Sequence, residues 1–65
     1  MNIGDILEAK VRLTPHYGLW LTCGDAEILC DVGDGQPDLD PYQVGDVVKV
    51  EILRINGKTI SGRLL

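Results

Sequence analysis

The sequence predicts a small all-β domain, and three observations support this prediction. Apolar and polar residues alternate with a period of two in several short segments, which is the pattern of half-buried strands. Glycine, proline, asparagine and aspartate residues that favour turns separate these segments. No segment has the length of a crossover helix in a βαβ unit, and 65 residues leave room for one core only. We therefore expect a single domain over residues 1–65.

The first predicted strand runs from Ile6 to Leu13. Its odd-numbered positions are apolar, whereas positions 8, 10 and 12 are charged, so the two sets face opposite sides of the sheet. Residues Thr14 to Gly18 favour a turn and end this strand. The side chains predicted to face the core are Leu7, Ala9, Val11 and Leu13.

A β-hairpin is predicted next, with strands 19–23 and 26–31 joined by Gly24 and Asp25. A two-residue loop places Cys23 opposite Ala26 and therefore Trp20 opposite Leu29. In this register Leu19, Leu21, Ala26, Ile28 and Cys30 face the core together with Cys23. Trp20 and Leu29 then lie on the outer face.

The two cysteines are predicted to be buried free thiols. Cys23 and Cys30 lie about four rungs apart in the hairpin, or roughly 13 Å, which is too far for a disulfide. No CxxC pair or histidine partner accompanies them, so we expect no metal site there. The chain also lacks a secretory signal pattern, which favours a cytoplasmic location with reduced thiols.

The second half of the chain contains a loop and two more predicted strands. Residues 32–44 form the loop, with a single helical turn expected near residues 40–43. A strand over 47–55 follows, in which the alternation slips at Leu53 and predicts a β-bulge. Asn56 and Gly57 favour a type I′ turn, because both tolerate positive φ. Residues 58–64 form the last strand.

Five short strands with one longer connection favour a five-stranded antiparallel Greek-key barrel of the OB-fold type. Such a barrel is closed or nearly closed and so protects the edges of its strands. An SH3-like barrel, which also has five strands, is the competing prediction.

The charge distribution argues against several functions. The net charge of −4 is unfavourable for binding nucleic acid, because Lys and Arg contacts to phosphate supply most of the sequence-independent affinity. No Lys or Arg occurs between Arg12 and Lys49. That interval contains acids that lack the spacing of an EF-hand, so no metal and no cofactor are expected. The acids are Asp25, Glu27, Asp31, Asp34, Asp38, Asp40 and Asp46.

Neither an enzyme nor a membrane-spanning segment is expected. His16 and Ser61 have no partners in the sequence that would form a catalytic set. The apolar runs are only a few residues long, whereas a spanning helix requires roughly 20.

Three segments resemble the S-one domain, the RNA-binding OB-fold module found in the largest small-subunit ribosomal protein, polynucleotide phosphorylase and ribonuclease E. The segments are residues 4–11, 17–21 and 44–53, with an aromatic-Gly-x-aromatic turn and a Gly-Asp pair before the fourth strand. The resemblance implies an OB fold and a nucleic-acid-binding face.

The resemblance also implies which residues form that face. Tyr17 and Trp20 match the family's two aromatic residues, and Asn56 and Lys58 stand near its aspartate and arginine. The place of the family's histidine falls on Leu29, or on Cys30 in a register shifted by one, so this contact is missing.

The leading hypothesis is a non-catalytic module that binds single-stranded RNA with weak sequence preference. Tyr17 and Trp20 would stack bases, Leu29 would extend the apolar surface, and Asn56, Lys58 and Arg63 would contact phosphate, sugar or base edges. The alternative is a protein-interaction module in which Trp20 and Leu29 anchor a partner with a basic surface. In that alternative the acidic loop supplies the electrostatic complementarity.

Overall fold

The computed structural model describes residues 1–65 as a closed barrel of five strands. The strands are β1 (Ile6–Leu13), β2 (Gly18–Cys23), β3 (Ala26–Asp31), β4 (Val47–Asn56) and β5 (Thr59–Leu64). Their order around the barrel is β1-β2-β3-β5-β4, and β4 pairs with β1 to close it. The predicted five-stranded OB barrel is confirmed. No helix in the molecule has the length and apolar character needed to cross a membrane.

One strand pairing departs from the predicted antiparallel barrel. Four neighbouring pairs are antiparallel, but β3 and β5 are parallel. The reason is geometric, because an odd number of strands in a closed ring cannot alternate in direction all the way round. The short parallel ladder joins only Ile28 to Ile60 and Leu29 to Ser61.

The hydrophobic core consists of nine buried residues from all five strands. Leu39 and Tyr42 of the long loop pack against this core, as do half-buried side chains from the strands. Burial of this apolar surface is the main favourable contribution to folding. The nine residues are Ala9, Val11, Leu19, Leu21, Ile28, Cys30, Val50, Ile52 and Leu64.

The register of the β2–β3 hairpin is the predicted one. Cys23 pairs with Ala26, and Trp20 pairs with Leu29. Both cysteines are free thiols, and Cys30 is fully buried. Cys23 is only half-buried, contrary to prediction, because it is the last residue of β2 and lies beside the exposed turn.

Two β-bulges interrupt the alternation of side chains. In β4 the register shifts between Ile52 and Arg54, which confirms the bulge predicted at Leu53. In β1 it shifts between Val11 and Leu13. The second bulge was not predicted, and it turns Leu13 outward, so that this side chain is 47% exposed instead of buried.

The helical turn in the long loop lies earlier than predicted. A 3-10 turn spans Val32–Asp34, where the Asp31 carboxylate accepts a hydrogen bond from the amide of Gly33 at 2.7 Å. This capping interaction stabilises a turn at that position. The segment predicted to be helical contains instead a turn closed by the amide of Tyr42, which donates to the carbonyl of Leu39 at 3.1 Å.

The β4–β5 turn also differs from the prediction. Asn56 pairs with Thr59, so the loop residues are Gly57 and Lys58. Only Gly57 has a positive φ, of 62°, whereas a type I′ turn requires positive φ at both loop residues. Asn56 remains extended because its pairing with Thr59 makes it the last residue of β4.

Gln36 fastens the long loop to β5. Its side-chain Nε2 donates to the carbonyl of Gly62, and its Oε1 accepts from the amide of Leu64, both at 2.8 Å. The amide group of one side chain thereby takes the place of a neighbouring strand beyond the end of the short β3–β5 ladder. This contact positions the loop over one end of the barrel.

Candidate functional site

Five outward residues lie on one row across the barrel surface. Consecutive members are paired on neighbouring strands, so the row runs across the strands and not along them. At a strand spacing of about 4.8 Å, its four steps extend over roughly 19 Å. We call this set the Trp20 row, and its members in order are Leu13, Trp20, Leu29, Ser61 and Arg54.

The two bulges place the ends of the Trp20 row. In β1, Arg12 and Leu13 together oppose Trp20, and in β4, Leu53 and Arg54 together oppose Ser61. A bulge inserts one residue and so reverses which side chains face outward beyond it. Leu13 and Arg54 therefore stand next to the hairpin residues on the same surface.

The aromatic residues of the site hold one another in place. The indole Nε1 of Trp20 donates a hydrogen bond to the hydroxyl of Tyr17 at 2.9 Å. The ring of His16 meets the ring of Tyr17 edge-on, with centroids 5.7 Å apart and planes at 84°. Trp20 is half-buried and Tyr17 is 41% exposed, so both rings are accessible on the surface.

Gly18 allows this arrangement through a close backbone contact. A β-carbon at this position would lie 2.1 Å from the carbonyl oxygen of Cys30. The backbone just before Gly18 is also held in place, because the carbonyl of Tyr17 accepts a hydrogen bond from the amide of Val32 at 2.9 Å. Only glycine fits between these contacts.

Every arginine of the chain is paired with a carboxylate. The nitrogen–oxygen distances are 3.1 Å for Arg12–Glu27, 2.6 Å for Arg54–Asp34 and 2.9 Å for Arg63–Glu51. The Arg12–Glu27 pair joins β1 to β3 across β2. The Arg54–Asp34 pair joins β4 to the 3-10 turn that follows β3, across β5. The lysines, Lys10, Lys49 and Lys58, form no ion pair.

The immediate surroundings of the row are therefore nearly balanced in charge. On β3, the outward acids Glu27 and Asp31 lie on either side of Leu29. Lys58 lines a shallow depression together with Asp25 and Glu27, so its charge is also partly offset. A ligand of high negative charge would meet few free cations here.

The inner side of the same sheet carries an unreactive thiol. Burial raises the pKa of Cys30 to about 12, and the nearby Asp34 carboxylate contributes to the same shift. Because the thiolate is the reactive form of cysteine, Cys30 remains a protonated core residue at neutral pH.

The structure brings together only some of the predicted site residues. Tyr17, Trp20 and Leu29 form one continuous surface. The other three lie on the β4–β5 hairpin: Asn56 and Arg63 are each two residues from a member of the row, and Lys58 is at the turn.

Three members of the row were missed at the sequence level. Leu13 was assigned to the core, and Ser61 and Arg54 were not included among the site residues. The slip in alternation at Leu53 was a signal for the position of Arg54. The bulge in β1 had no comparable signal in the sequence.

Fold and site together define a small OB-fold domain with an aromatic and apolar row on its outer surface. No family model matches the chain. The small ribosomal subunit protein bS1 of two Helicobacter pylori strains is 39% identical to it over 62 residues, which covers 88% of this chain. The chain spans 11% of the length of these curated relatives.

Two solved structures share the fold. The solution structure of GSP13 from Bacillus subtilis superposes with a TM-score of 0.83 at 21% identity, covering 98% of this chain and 55% of that one. The uncharacterized protein MJ1198 from Methanocaldococcus jannaschii gives 0.87 at 17% identity, covering 100% and 93%. These two structures show the fold alone. By its identity to the bS1 relatives, the chain belongs to the S-one domain family, as its sequence resemblance predicted.

Proposed function

We propose that this domain binds single-stranded RNA, without catalysis and with weak sequence preference, by stacking bases on Trp20 and Tyr17. The observation that carries the proposal is the outward Trp20 indole, held by Tyr17 and flanked by Leu13 and Leu29. An aromatic side chain on a strand surface stacks any base, contributing about 1–3 kcal/mol per base. The bS1 relatives are named as ribosomal proteins, which supports RNA as the ligand and agrees with the expected cytoplasmic location.

In this mode of binding, the other predicted site residues contact the RNA next to the Trp20 and Tyr17 rings. Leu29 continues the apolar area beside Trp20. The side chains of Asn56, Lys58 and Arg63 reach sugar, phosphate or base edges from the β4–β5 hairpin. Because the arginines already bind carboxylates, phosphate contacts add little, and the affinity is weak and stacking-dominated.

The alternative, a protein-interaction module, is favoured by one specific observation. All three arginines are neutralised by acids, whereas four acids of the segment from Asp31 to Asp46 form no ion pair and can face a basic partner. They are Asp31, Asp38, Asp40 and Asp46. In that case Trp20 and Leu29 anchor the partner as an apolar contact.

Titration with RNA distinguishes the two functions. Trp20 is the only tryptophan, so its fluorescence reports on ligand binding directly. Hexauridylate added at low salt should quench it, and the affinity should fall as salt rises. Lys58→Ala should flatten that salt dependence. A hexalysine peptide, titrated separately, serves as the basic ligand that the alternative function predicts.

Two aliphatic variants provide the matched comparison. Leu29→Ala should weaken binding of labelled hexauridylate, because it removes apolar surface next to Trp20. Val47→Ala should leave binding unchanged, because this outward residue pairs with Lys10 in the β1–β4 ladder and is not part of the Trp20 row. If hexauridylate at millimolar concentration leaves the emission unchanged while hexalysine shifts it, the RNA proposal is wrong and the alternative holds.

A further inference from the structure

We infer that Ser61 hydrogen-bonds a ribose 2′-hydroxyl and thereby makes the site prefer RNA over single-stranded DNA. This inference rests on the proposed function, and it assigns a role to a residue outside the predicted site.

Ser61 occupies a fixed outward position within the Trp20 row. It is paired with Leu29 on one side and with Arg54 on the other. Its chain neighbours point inward: Ile60 packs against the core, and a β-carbon at Gly62 would lie 2.5 Å from the Cγ2 of Val50. The Ser61 side chain can therefore point only toward the ligand surface.

The hydroxyl of Ser61 has no partner within the protein. No hydrogen bond to its Oγ occurs in the molecule, and it is the only side-chain hydroxyl in the row. A serine hydroxyl both donates and accepts, as a ribose 2′-hydroxyl does. The two groups are therefore complementary in either direction of donation.

The charges around the row favour a ligand path across the strands. A backbone running along β3 would pass over Asp31, which forms no ion pair and repels phosphate. A backbone following the row avoids this acid. It passes from the apolar residues to Ser61 and then to Arg54, whose guanidinium already binds an oxyanion, the Asp34 carboxylate, at 2.6 Å.

On this path the members of the row contact different parts of the ligand. Bases lie over Trp20 and Leu29, the adjoining ribose lies over Ser61, and the following phosphate competes with Asp34 for Arg54. Among the contacts made by the row, only the one at Ser61 distinguishes ribose from deoxyribose, because bases and phosphates are common to both polymers.

The test compares hexauridylate with hexadeoxyuridylate, which differ only in the 2′-hydroxyl. The protein should bind the RNA about three- to tenfold more tightly, the effect of one neutral hydrogen bond. Ser61→Ala should lower RNA affinity to the level of the DNA and leave DNA affinity unchanged. The matched control is Thr59→Ala, which removes a hydroxyl from the same strand outside the row and should preserve the preference.

Several outcomes would overturn the inference. Equal binding of both oligomers by the unmodified protein refutes it while leaving the proposed function intact. The same holds if Ser61→Ala weakens both oligomers equally, or if Thr59→Ala also abolishes the preference. If neither oligomer binds, the proposed function itself fails. Thermal unfolding of each variant confirms that the barrel remains folded during these measurements.

Discussion

The hydrogen bond from the Trp20 indole to the Tyr17 hydroxyl, 2.9 Å long, joins the first residues of β2 to the turn that precedes it. A stacking surface is most effective when its rings are already ordered, because binding then costs less conformational entropy. Here two aromatic residues three positions apart order each other before any ligand arrives.

Tyr17→Phe tests the importance of this ordering. The variant keeps the ring but removes the acceptor of the Trp20 bond, so the indole should become more mobile. We expect faster decay of tryptophan fluorescence anisotropy and a hexauridylate affinity about two- to tenfold lower, the range for one hydrogen bond. Tyr42→Phe is the control, because the Tyr42 hydroxyl makes no hydrogen bond and its ring packs against the core. An unchanged anisotropy decay in Tyr17→Phe would show that the bond contributes nothing to ordering.

Releasing an arginine from its acid should strengthen RNA binding. Glu51→Gln removes the charge that holds Arg63 at 2.9 Å, leaving the guanidinium available to phosphate. We expect higher affinity for hexauridylate and a steeper dependence of affinity on salt, measured by titration at several salt concentrations.

Glu8→Gln is the matched control for this charge change. It alters the net charge equally, but Glu8 lies opposite Lys49 in the β1–β4 ladder, away from Arg63. An equal gain in affinity from both variants would mean that overall charge, and not the release of Arg63, determines binding.

Gln36→Ala should destabilise the fold without changing the site. The variant leaves the carbonyl of Gly62 and the amide of Leu64 without partners in a half-buried position. Each unsatisfied group costs about 1–3 kcal/mol when fully buried, so we expect the free energy of unfolding to fall by roughly 1–3 kcal/mol in urea denaturation. Gln43→Ala, at a side chain without hydrogen bonds, should change it little.

Stability should decline in alkaline solution through Cys30. Burial raises the pKa of its thiol from an ordinary value of 9.0, which applies in the unfolded chain, to about 12 in the folded protein. Between these values the unfolded state binds fewer protons, so the free energy of unfolding falls as pH rises. The slope is at most about 1.4 kcal/mol per pH unit.

Comparison with Cys30→Ala isolates this contribution, since lysines and tyrosines titrate in both proteins. Urea denaturation from pH 8 to pH 11 should show a shallower decline for the variant. Parallel declines would exclude Cys30 as a source of alkaline instability.

Much of the local structure was predictable from the sequence. The bounds of β1 and the register of the β2–β3 hairpin followed from a period of two and a two-residue turn, which together leave one alignment. The bulge at Leu53 was visible as a break in alternation. The outward positions of Trp20 and Leu29 were consequences of the same pattern.

The other three members of the Trp20 row were decided only by tertiary structure. Ser61 reaches Leu29 through the parallel β3–β5 pairing, which exists because five strands close into a ring. Arg54 meets Asp34 across 20 residues of chain, and Leu13 turns outward at a bulge without a sequence signal.

The sequence by itself therefore determined which residues form strands, which side chains face the core in the β2–β3 hairpin, and the family. Barrel closure decided which outward residues become neighbours across the β3–β5 pairing and brought Arg54 to Asp34. The physical reason is that alternation and turn preference act between residues close in the chain. Neighbours across a closed barrel depend instead on how all five strands pair at once.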